Sequence, residues 1–221
     1  MNALSLFSLR LSLQVALAAT ALVVPAGIGL AYLLARRSFR GRDLLDIILT
    51  LPLVMPPTVT GYYLVIVLGR NGPLGGLIYS HTGWSIMFTW EAAVLASSVV
   101  AMPLMVKTAR AAFESVERNL IETSETLGHS GAATFFHVTL PLARRGLFAG
   151  ATLSFARALG EFGATLMLAG NIPGKTSTAP LAIYTYASSG DWPRANSLVL
   201  LFTAISALFL YVAVKLNARI I

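Results

Sequence analysis

Two opposite charges inside an otherwise apolar stretch are the residues of this sequence best placed to do chemistry. Arg157 and Glu161 lie four positions apart within residues 146–170, and this spacing puts two side chains on one face of a helix, where they can pair. A charged group at membrane depth costs about 2.5–3.5 kcal/mol on insertion scales and is expected to face protein or water. The pair therefore predicts a contact with a permeating ion or with another subunit, and a purely structural ion pair is the alternative. If the permeating ion is an anion, Arg157 attracts it and Glu161 prevents its capture.

Small residues surround this pair. Gly160 and Gly163 flank Glu161 and Phe162, so Phe162 is a candidate for closing a narrow path or, alternatively, a packing residue. Small residues also recur with four-residue spacing before the pair: Gly146, Gly150, Ser154 and Ala158. Because small residues let two membrane helices approach closely, we expect this helix to contact a second copy of the chain.

No enzymatic site can be assigned from residue types and spacing. The stretch AGNIPGKTS, residues 169–177, ends like a phosphate-binding P-loop, but Ala169 replaces its first glycine, no β-strand is predicted before it, and Pro180 stands where its helix should start. The histidines do not cluster with Asp or Glu as metal ligands would: His81, His129 and His137. We therefore predict that the chain has no ATPase activity of its own, no metal site and no cofactor.

The elements that must position these residues are membrane helices. The 221 residues are 56% hydrophobic and 11% charged, with a mean hydropathy of +0.75, which is too apolar for an ordinary soluble domain. About five spans are predicted, each able to cross a hydrocarbon core about 30 Å thick, which takes about 20 residues. These spans are residues 11–35, 47–69, 90–109, 146–170 and 195–214. The predicted fold is all-α, a single polytopic membrane domain over residues 1–221.

The distribution of basic residues predicts the orientation of the chain. If the polar segment near residues 113–145 is cytosolic, the inner side carries most of the basic residues: Arg36, Arg37, Arg40, Arg42, Lys107, Arg110, Arg118, Arg144, Arg145, Lys215 and Arg219. The outer side carries few: Arg10, Arg70, Lys175 and Arg194. This asymmetry satisfies the positive-inside rule, so the N-terminus is predicted outside the cell membrane and the C-terminus inside. Topology then explains most of the net charge of +7, and nucleic acid is not predicted as a partner.

Prolines interrupt the second span. Pro52, Pro56 and Pro57 each remove a backbone donor, which kinks or breaks a helix. Freed backbone groups in a bilayer are tolerated only against protein or water, so these prolines predict either pore lining or a packing role. The glycine-rich residues 71–89 that follow predict an outer loop with a short interfacial helix.

A polar segment separates the third and fourth spans. Residues 113–141 carry seven ionisable side chains, which excludes a lipid-facing span: Glu114, Glu117, Arg118, Glu122, Glu125, His129 and His137. Apolar residues recur in it at helical spacing: Phe113, Val116, Leu120 and Leu127. The pattern predicts an amphipathic helix, a turn at Gly128 in the left-handed conformation that often ends a helix, and a second short helix through Phe135 and Phe136.

The spacing of this segment resembles the coupling loop of ABC importer permeases. The family pattern has Glu-Ala-Ala, then a Gly about six residues after the Glu, then Ile-x-Leu-Pro beginning about ten residues after the Gly. The corresponding residues here are Glu122, Thr123, Ser124, Gly128, Val138, Leu140 and Pro141. Thr123 and Ser124 replace the alanines and Val138 the isoleucine, all small or isosteric changes. The resemblance implies that residues 113–145 dock on a cytosolic ATPase; a solvated hairpin without a partner is the alternative.

Nearly the whole chain resembles the permeases of molybdate ABC transporters, which have the type I importer fold. The segments that carry the resemblance are SFRGRDLLD, LPLVMPPTVTGY, FFHVTLPLARRG and FARALGEFGATLMLAGNIPGKTSTAPLAIY. The resemblance implies a homodimeric pore in the inner membrane, two cytosolic ABC ATPase subunits and a periplasmic binding protein that delivers a tetrahedral oxyanion. It also implies ATP-driven alternating access and places residues 160–164 in a pore-forming helix.

Alternatives to molybdate import remain open. Tungstate, sulfate and thiosulfate permeases share the same fold, and these oxyanions have similar charge and shape. An intramembrane enzyme would need a second set of reactive groups at membrane depth, and the sequence offers none. A secondary transporter should show inverted repeats and has no use for an ATPase-docking loop.

Overall fold

Helices form every regular element over residues 3–219, the part of the chain that the computed structural model describes. Three are long and apolar enough to cross a membrane: α1 Ala3–Arg36, α5 Trp90–Glu114 and α11 Trp192–Arg219. The all-α prediction is therefore confirmed. The other two predicted spans are each divided into shorter helices.

The core of the molecule is the contact of α1 with α5. Thr89 begins α5 by accepting a hydrogen bond from the amide of Ala92 at 3.2 Å. The buried positions are mostly small or β-branched: Ala16, Ala19, Val23 and Ala31 of α1, and Ala93, Ala96, Val100 and Ala101 of α5. At Gly27 the helices are so close that an added Cβ would lie 2.5 Å from Met105 Cγ. Small side chains allow this approach, and dispersion contacts then hold the helices together.

The second predicted span is broken at Pro56. Helix α2, Arg42–Val54, ends before this residue, and α3, Pro57–Leu68, begins directly after it. Pro52 lies inside α2 without ending it, whereas Pro57 occupies the first turn of α3, where the missing amide costs nothing. The structure thus shows a break rather than a kink. Helix α4, Pro73–Thr82, is the short helix expected within residues 71–89.

The fourth predicted span is also broken. Helix α8, Leu140–Leu159, is separated from α9, Gly163–Ala169, by residues 160–162. The prediction of one helix over residues 146–170 is wrong, and Glu161 does not lie on the helix that carries Arg157. Local spacing could not show this, because neither glycine of the GEFG sequence obliges a helix to end.

The polar segment between α5 and α8 contains α6, Arg118–Thr126, and α7, Gly131–Thr134. A π-helix, Phe135–Thr139, joins α7 directly to α8. The second short helix predicted through Phe135 and Phe136 is therefore a continuation of α8 rather than a separate element. Phe113, assigned to the amphipathic helix from its spacing, belongs to α5.

Helix α10, Ala179–Ser188, follows α9 and packs on α11. The sequence did not predict it. Pro180 stands in its first turn, a position that favours a helix start, so this proline was not an argument against a helix after residue 178.

The ridge of small residues on α8 packs within the chain. An added Cβ at Gly146 would lie 2.4 Å from Ala112 Cβ, and one at Gly150 would lie 3.1 Å from Met105 Sδ. The Ser154 hydroxyl, on the same ridge, donates to the carbonyl of Ala101 at 3.4 Å. The ridge therefore packs on α5 of the same chain, so its small residues do not support a contact with a second copy, because small residues indicate a close helix contact but not its partner. Contact of this helix with a second copy through another face stays a prediction.

Candidate functional site

A helical hairpin formed by residues 118–139, called the hairpin below, is the first candidate site. Its first helix ends where the Leu127 amide donates to the Thr123 carbonyl at 3.1 Å. Gly128 follows with φ +91°, in the left-handed region that glycine enters at no steric cost. The predicted turn at Gly128 is confirmed. Ser130 then caps α7 by accepting from the Ala133 amide at 3.3 Å.

Ser124 closes the hairpin from the inside. Its buried hydroxyl lies 3.0 Å from His129 Nδ1 and 3.0 Å from Thr134 Oγ1. The His129 amide also donates to the Ser124 carbonyl at 3.2 Å. Ser124, one of the two departures from the alanines of the family pattern, thus binds the two helical arms together.

The outer surface of the hairpin is open. Glu122, Thr123 and Gly128 are exposed and Val138 is half-buried; at the start of α8, directly after the hairpin, Leu140 is half-buried and Pro141 exposed. Glu122 Oε1 pairs with Arg118 Nε at 2.8 Å, both largely in solvent. Among the apolar side chains, Leu127 is 76% exposed and Phe136 62%. Apolar groups exposed on a polar surface mark a place where a partner binds.

Aromatic contacts fix the base of the hairpin to the membrane helices. The Tyr32 ring of α1 packs edge-on against Phe113 of α5 and against Phe135, with centroids 5.5 and 4.7 Å apart. Arg36 Nη2, at the end of α1, donates to the carbonyl of Phe113 at 2.7 Å. A force applied to the hairpin would therefore reach α1 and α5 directly.

An open cleft of about 810 Å³ lies between the end of α1 and the hairpin. Its charged lining residues are Arg36, Arg37, Arg118, Glu122 and Glu125. The mixture of signs favours a protein partner over a simple anion, because a single-sign field would be needed to concentrate anions.

A second charged contact ties α2 to α5. Asp46 Oδ1 lies 2.7 Å from Lys107 Nζ, and its Oδ2 lies 3.1 Å from Arg110 Nη1. The hydrogen bond from Lys107 lowers the pKa of Asp46 below its ordinary value, with the nearby charges of both cations adding to the effect. This lowered pKa keeps Asp46 ionised, so the tie is present above the ordinary Asp range and is lost as the pH falls through the lowered value.

The second candidate site is the ion pair predicted within the membrane. Arg157 Nη1 lies 2.8 Å from Glu161 Oε2, although Glu161 stands beyond the end of α8. The Glu161 side chain is 1% exposed and the Arg157 side chain 28% exposed. Glu161 Oε1 also accepts from the Ala164 amide at 2.8 Å, so this carboxylate both pairs with Arg157 and caps α9. The capping role, which offsets the lost helical hydrogen bonds, was not foreseen.

The breaks in the two divided spans lie against each other. An added Cβ at Gly163 would lie 3.0 Å from both Pro57 Cβ and the Thr58 amide nitrogen. One at Gly61 would lie 2.8 Å from Ala164 Cα. Gly163 therefore serves a close contact between α9 and α3, whereas an added Cβ at Gly160 would meet only its own helix, 3.8 Å away at the Ala156 carbonyl.

Phe162 lies next to this contact and is half-buried. Its ring packs edge-on against Tyr184 of α10, with centroids 5.3 Å apart. The structure thus gives Phe162 an aromatic neighbour within the chain, and its closing of a path remains a prediction.

Residues that resemble other kinds of site are explained by packing. His129 and His137 stack with centroids 6.3 Å apart, and residues 3–219 contain no group of three or more potential metal ligands. In the P-loop-like stretch, the buried Thr176 hydroxyl accepts from the Ile172 amide at 3.0 Å and donates to the Gly170 carbonyl. This loop follows helix α9 and folds on itself.

Sequence reasoning did not find several residues of these sites. Tyr32, Arg36 and Asp46 lie far in sequence from their partners in α5 and the hairpin. Asp46 alone carried a sequence signal, because an acidic residue at the end of an apolar span suggests an ion pair with a cation of another helix.

Comparison with known proteins places these sites in a family. A model described as "Binding-protein-dependent transport system inner membrane component" matches residues 23–221. A relative named molybdenum transport system permease protein ModB, from Haemophilus influenzae, is 42% identical over 201 residues, covering 91% of this chain and 88% of its own length. The protein of that name from Escherichia coli K12 is 47% identical over 175 residues, covering 79% and 76%.

A solved structure agrees on the fold. A bacterial ABC transporter involved in the import of the acidic polysaccharide alginate superposes with a TM-score of 0.81 over 99% of this chain and 80% of the matched chain, at 15% identity. With an all-helical membrane bundle, a family model over residues 23–221 and relatives above 40% identity, the chain belongs to the binding-protein-dependent transport system inner membrane components.

Proposed function

We propose that the chain is the permease subunit of an ATP-driven importer that carries a tetrahedral oxyanion, namely molybdate, across the inner membrane by alternating access. Two copies would form the pore, with two cytosolic ABC ATPase subunits and a periplasmic binding protein. The observation that carries the proposal is the 42–47% identity, over most of the chain, to permeases named for molybdenum.

The hairpin is the proposed ATPase-docking element. Glu122, Thr123, Gly128 and Pro141 would contact the ATPase, since they are exposed. Ser124, Val138 and Leu140 would set the shape of the element from within. Its attachment to α1 and α5 through Tyr32 supports transmission of force. This arrangement requires a cytosolic hairpin, a periplasmic N-terminus and a cytoplasmic C-terminus.

The proposed translocation path passes the break between α8 and α9. Arg157, Gly160, Glu161, Phe162 and Gly163 lie there. Polar groups at membrane depth cluster along transport paths, because placing them against lipid has a high free-energy cost. The two breaks that meet at Gly163 and Pro57 give non-helical backbone at this depth, which is tolerated beside protein or a water-filled cavity.

Uptake into proteoliposomes tests the proposal. The chain, its ATPase and its binding protein would be reconstituted, and entry of labelled molybdate measured with and without ATP. We expect ATP-dependent uptake that disappears without the binding protein and is reduced by excess tungstate. If the transporter takes up labelled sulfate and excess molybdate does not lower that uptake, the substrate is sulfate and not molybdate. Uptake that needs no ATPase would contradict the importer class.

A further inference from the structure

The side of Arg157 that faces away from Glu161 is open. One Nη atom pairs with the carboxylate at 2.8 Å, and the Arg157 side chain as a whole is 28% exposed. Within residues 3–219 this guanidinium makes no other hydrogen bond or ion pair. A guanidinium has five N–H donors in a planar fork, so most of its donors are free.

The depth of Arg157 in the bundle follows from the packing of α8 on α5. Ser154 meets Ala101 and Gly150 meets Met105, so the helices run in opposite directions. Arg157, three residues beyond Ser154, is then about level with Ser98. At about 1.5 Å per residue, this level is about 14 Å from Lys107 and about 12 Å from Trp90. Arg157 thus lies about midway between Trp90 and Lys107, within the predicted span of residues 90–109 and nearer the Trp90 end of α5.

A partly exposed arginine side chain at this depth is costly to place against lipid, even when a carboxylate pairs with one of its Nη atoms. The exposed stripe of α8 that carries it also contains Leu153, one turn earlier, and Gly160, three residues later. This stripe is distinct from the buried ridge that packs on α5. Leu153 on this stripe is apolar and 46% exposed, so only the end of the stripe that carries Arg157 needs water or a polar partner beside it.

We propose that Arg157 is a contact point for the permeating oxyanion at mid-membrane, with Glu161 as its positioning residue. This inference rests on the proposed function and names one residue that the oxyanion contacts on its way through the membrane. The free N–H groups of Arg157 suit a tetrahedral oxyanion, which accepts two parallel hydrogen bonds from a guanidinium. One oxygen of the Glu161 carboxylate accepts from the Ala164 amide, and the other accepts no hydrogen bond but lies at ion-pair distance from Arg157. Because the carboxylate is buried, it can orient the guanidinium without meeting the anion.

The pairing also limits how tightly the anion binds. Conduction requires a site attractive enough to enter and weak enough to leave. Glu161 neutralises part of the charge of Arg157 from behind, at 1% exposure. A lone arginine at this depth would hold a dianion more strongly and slow its release.

The chain contains no cysteine, which makes labelling of single introduced cysteines straightforward. Gly160→Cys suits this test because its backbone has φ −89° and an added Cβ has room. In the reconstituted transporter, we expect a negatively charged, membrane-impermeant thiol reagent to modify Gly160→Cys, and molybdate with ATP and binding protein to slow the modification at least threefold. Leu200→Cys, on the apolar face of α11 and 71% exposed, is the matched control and should not react.

Transport kinetics give a second readout. Arg157→Gln is expected to lower the maximal uptake rate at least tenfold, while Arg157→Lys keeps a larger fraction because it retains the charge but not the fork. Arg194→Gln is the control, because Arg194 forms a similar 3.0 Å ion pair with Asp191 but is largely exposed. The uptake rate of this variant should not change. If Arg157→Gln does not assemble into the transporter, the uptake rate of Arg157→Lys and the labelling of Gly160→Cys test the proposed contact instead.

The outcomes separate this inference from the proposed function. If the unmodified transporter imports no oxyanion, the proposed function fails and this inference with it. If it imports molybdate but Gly160→Cys does not react, or reacts at a rate that molybdate leaves unchanged, the contact site alone is wrong. Wild-type uptake rates in both Arg157→Gln and Arg157→Lys would equally reject the site.

Discussion

Two Arg–Glu pairs in this chain have the same spacing and the same length but different surroundings. Arg118–Glu122 in the hairpin and Arg157–Glu161 at the α8–α9 break each join residues four apart at 2.8 Å. The hairpin carboxylate is 56% exposed and the other 1% exposed. Water solvates the first pair whether or not it forms. In the second pair, protein surrounds Glu161, so neighbouring protein groups must replace the hydration that water gives an exposed carboxylate.

The helix ends beside the two pairs differ in the same way. In the hairpin, Gly128 turns the chain with φ +91° and neutral groups on Ser124, His129 and Thr134 close it. At the break, a carboxylate caps the next helix through the Ala164 amide. A sequence pattern can thus predict a contact, whereas burial decides how much the contact contributes to the free energy of unfolding.

Removing the buried carboxylate should have the largest effect. Glu161→Ala leaves Arg157 without its partner and α9 without its cap, and breaking a buried ion pair costs about 3–5 kcal/mol. We expect a large loss of folded protein, measured as thermal unfolding and monodisperse yield in detergent. Glu122→Ala is the matched control and should change stability by no more than about 0.5 kcal/mol. Equal effects of the two variants would abolish the contrast between the pairs.

Added volume at the break should have the next largest effect. In Gly163→Ala the new methyl group would lie 3.0 Å from Pro57 Cβ and from the Thr58 amide, and overpacking costs about 1–3 kcal/mol. In Gly160→Ala, three residues earlier, the new methyl group meets only the Ala156 carbonyl at 3.8 Å, an ordinary contact, and the change should be close to neutral. The two midpoints of thermal unfolding check this prediction, and a Gly160→Ala variant as unstable as Gly163→Ala would show that the two breaks do not meet as described.

A backbone change in the hairpin should cost less. Gly128→Ala forces a Cβ into the left-handed region at φ +91°, at about 1–2 kcal/mol. Gly131→Ala has ordinary φ and free space and serves as the control. We expect faster amide hydrogen exchange over residues 118–139 in the first variant only. Unchanged exchange in Gly128→Ala would mean that the turn is not held in this conformation.

The smallest effect on stability is expected at the exposed pair, with a separate effect on partner binding. Glu122→Arg removes an ion pair that solvent already weakens, so thermal stability should change by less than about 1 kcal/mol. If the hairpin docks the ATPase as proposed, the same variant should lower co-purification of the ATPase at least fivefold. Glu117→Arg, also exposed and just before α6, is the charge-matched control. Normal ATPase recovery with Glu122→Arg would remove Glu122 from the docking surface.

Much of the hairpin could be predicted from the sequence because its determinants are local. The polar composition of residues 113–141 excluded a span, and Gly128 marked the turn that the structure shows. The predicted role as a transport subunit also agrees with the family. Ser124 entered the prediction only as a replacement for alanine, since its partner Thr134 lies ten residues away across the turn.

The predictions inside the membrane were less complete because they depended on contacts between distant segments. The sequence predicted one helix over residues 146–170, yet the helix is interrupted at Gly160. A helix gives up backbone hydrogen bonds there only because Glu161 caps α9 and Pro57 packs on Gly163. Pro56 signalled the companion break, but its position opposite the α8–α9 break was not encoded in local spacing.

The sequence by itself determined the all-α membrane class and the hairpin between spans, because composition and local polar residues act within a few positions. The four-residue spacing suggested the Arg157–Glu161 pair, but the pair forms across the α8–α9 break and not on one helix. Only the tertiary structure decided that the small-residue ridge of α8 binds α5, that Tyr32 and Arg36 fasten the hairpin, and that Glu161 is buried while Arg157 stays open. Burial and partner choice depend on residues brought together from across the chain, and no local pattern specifies which surfaces meet.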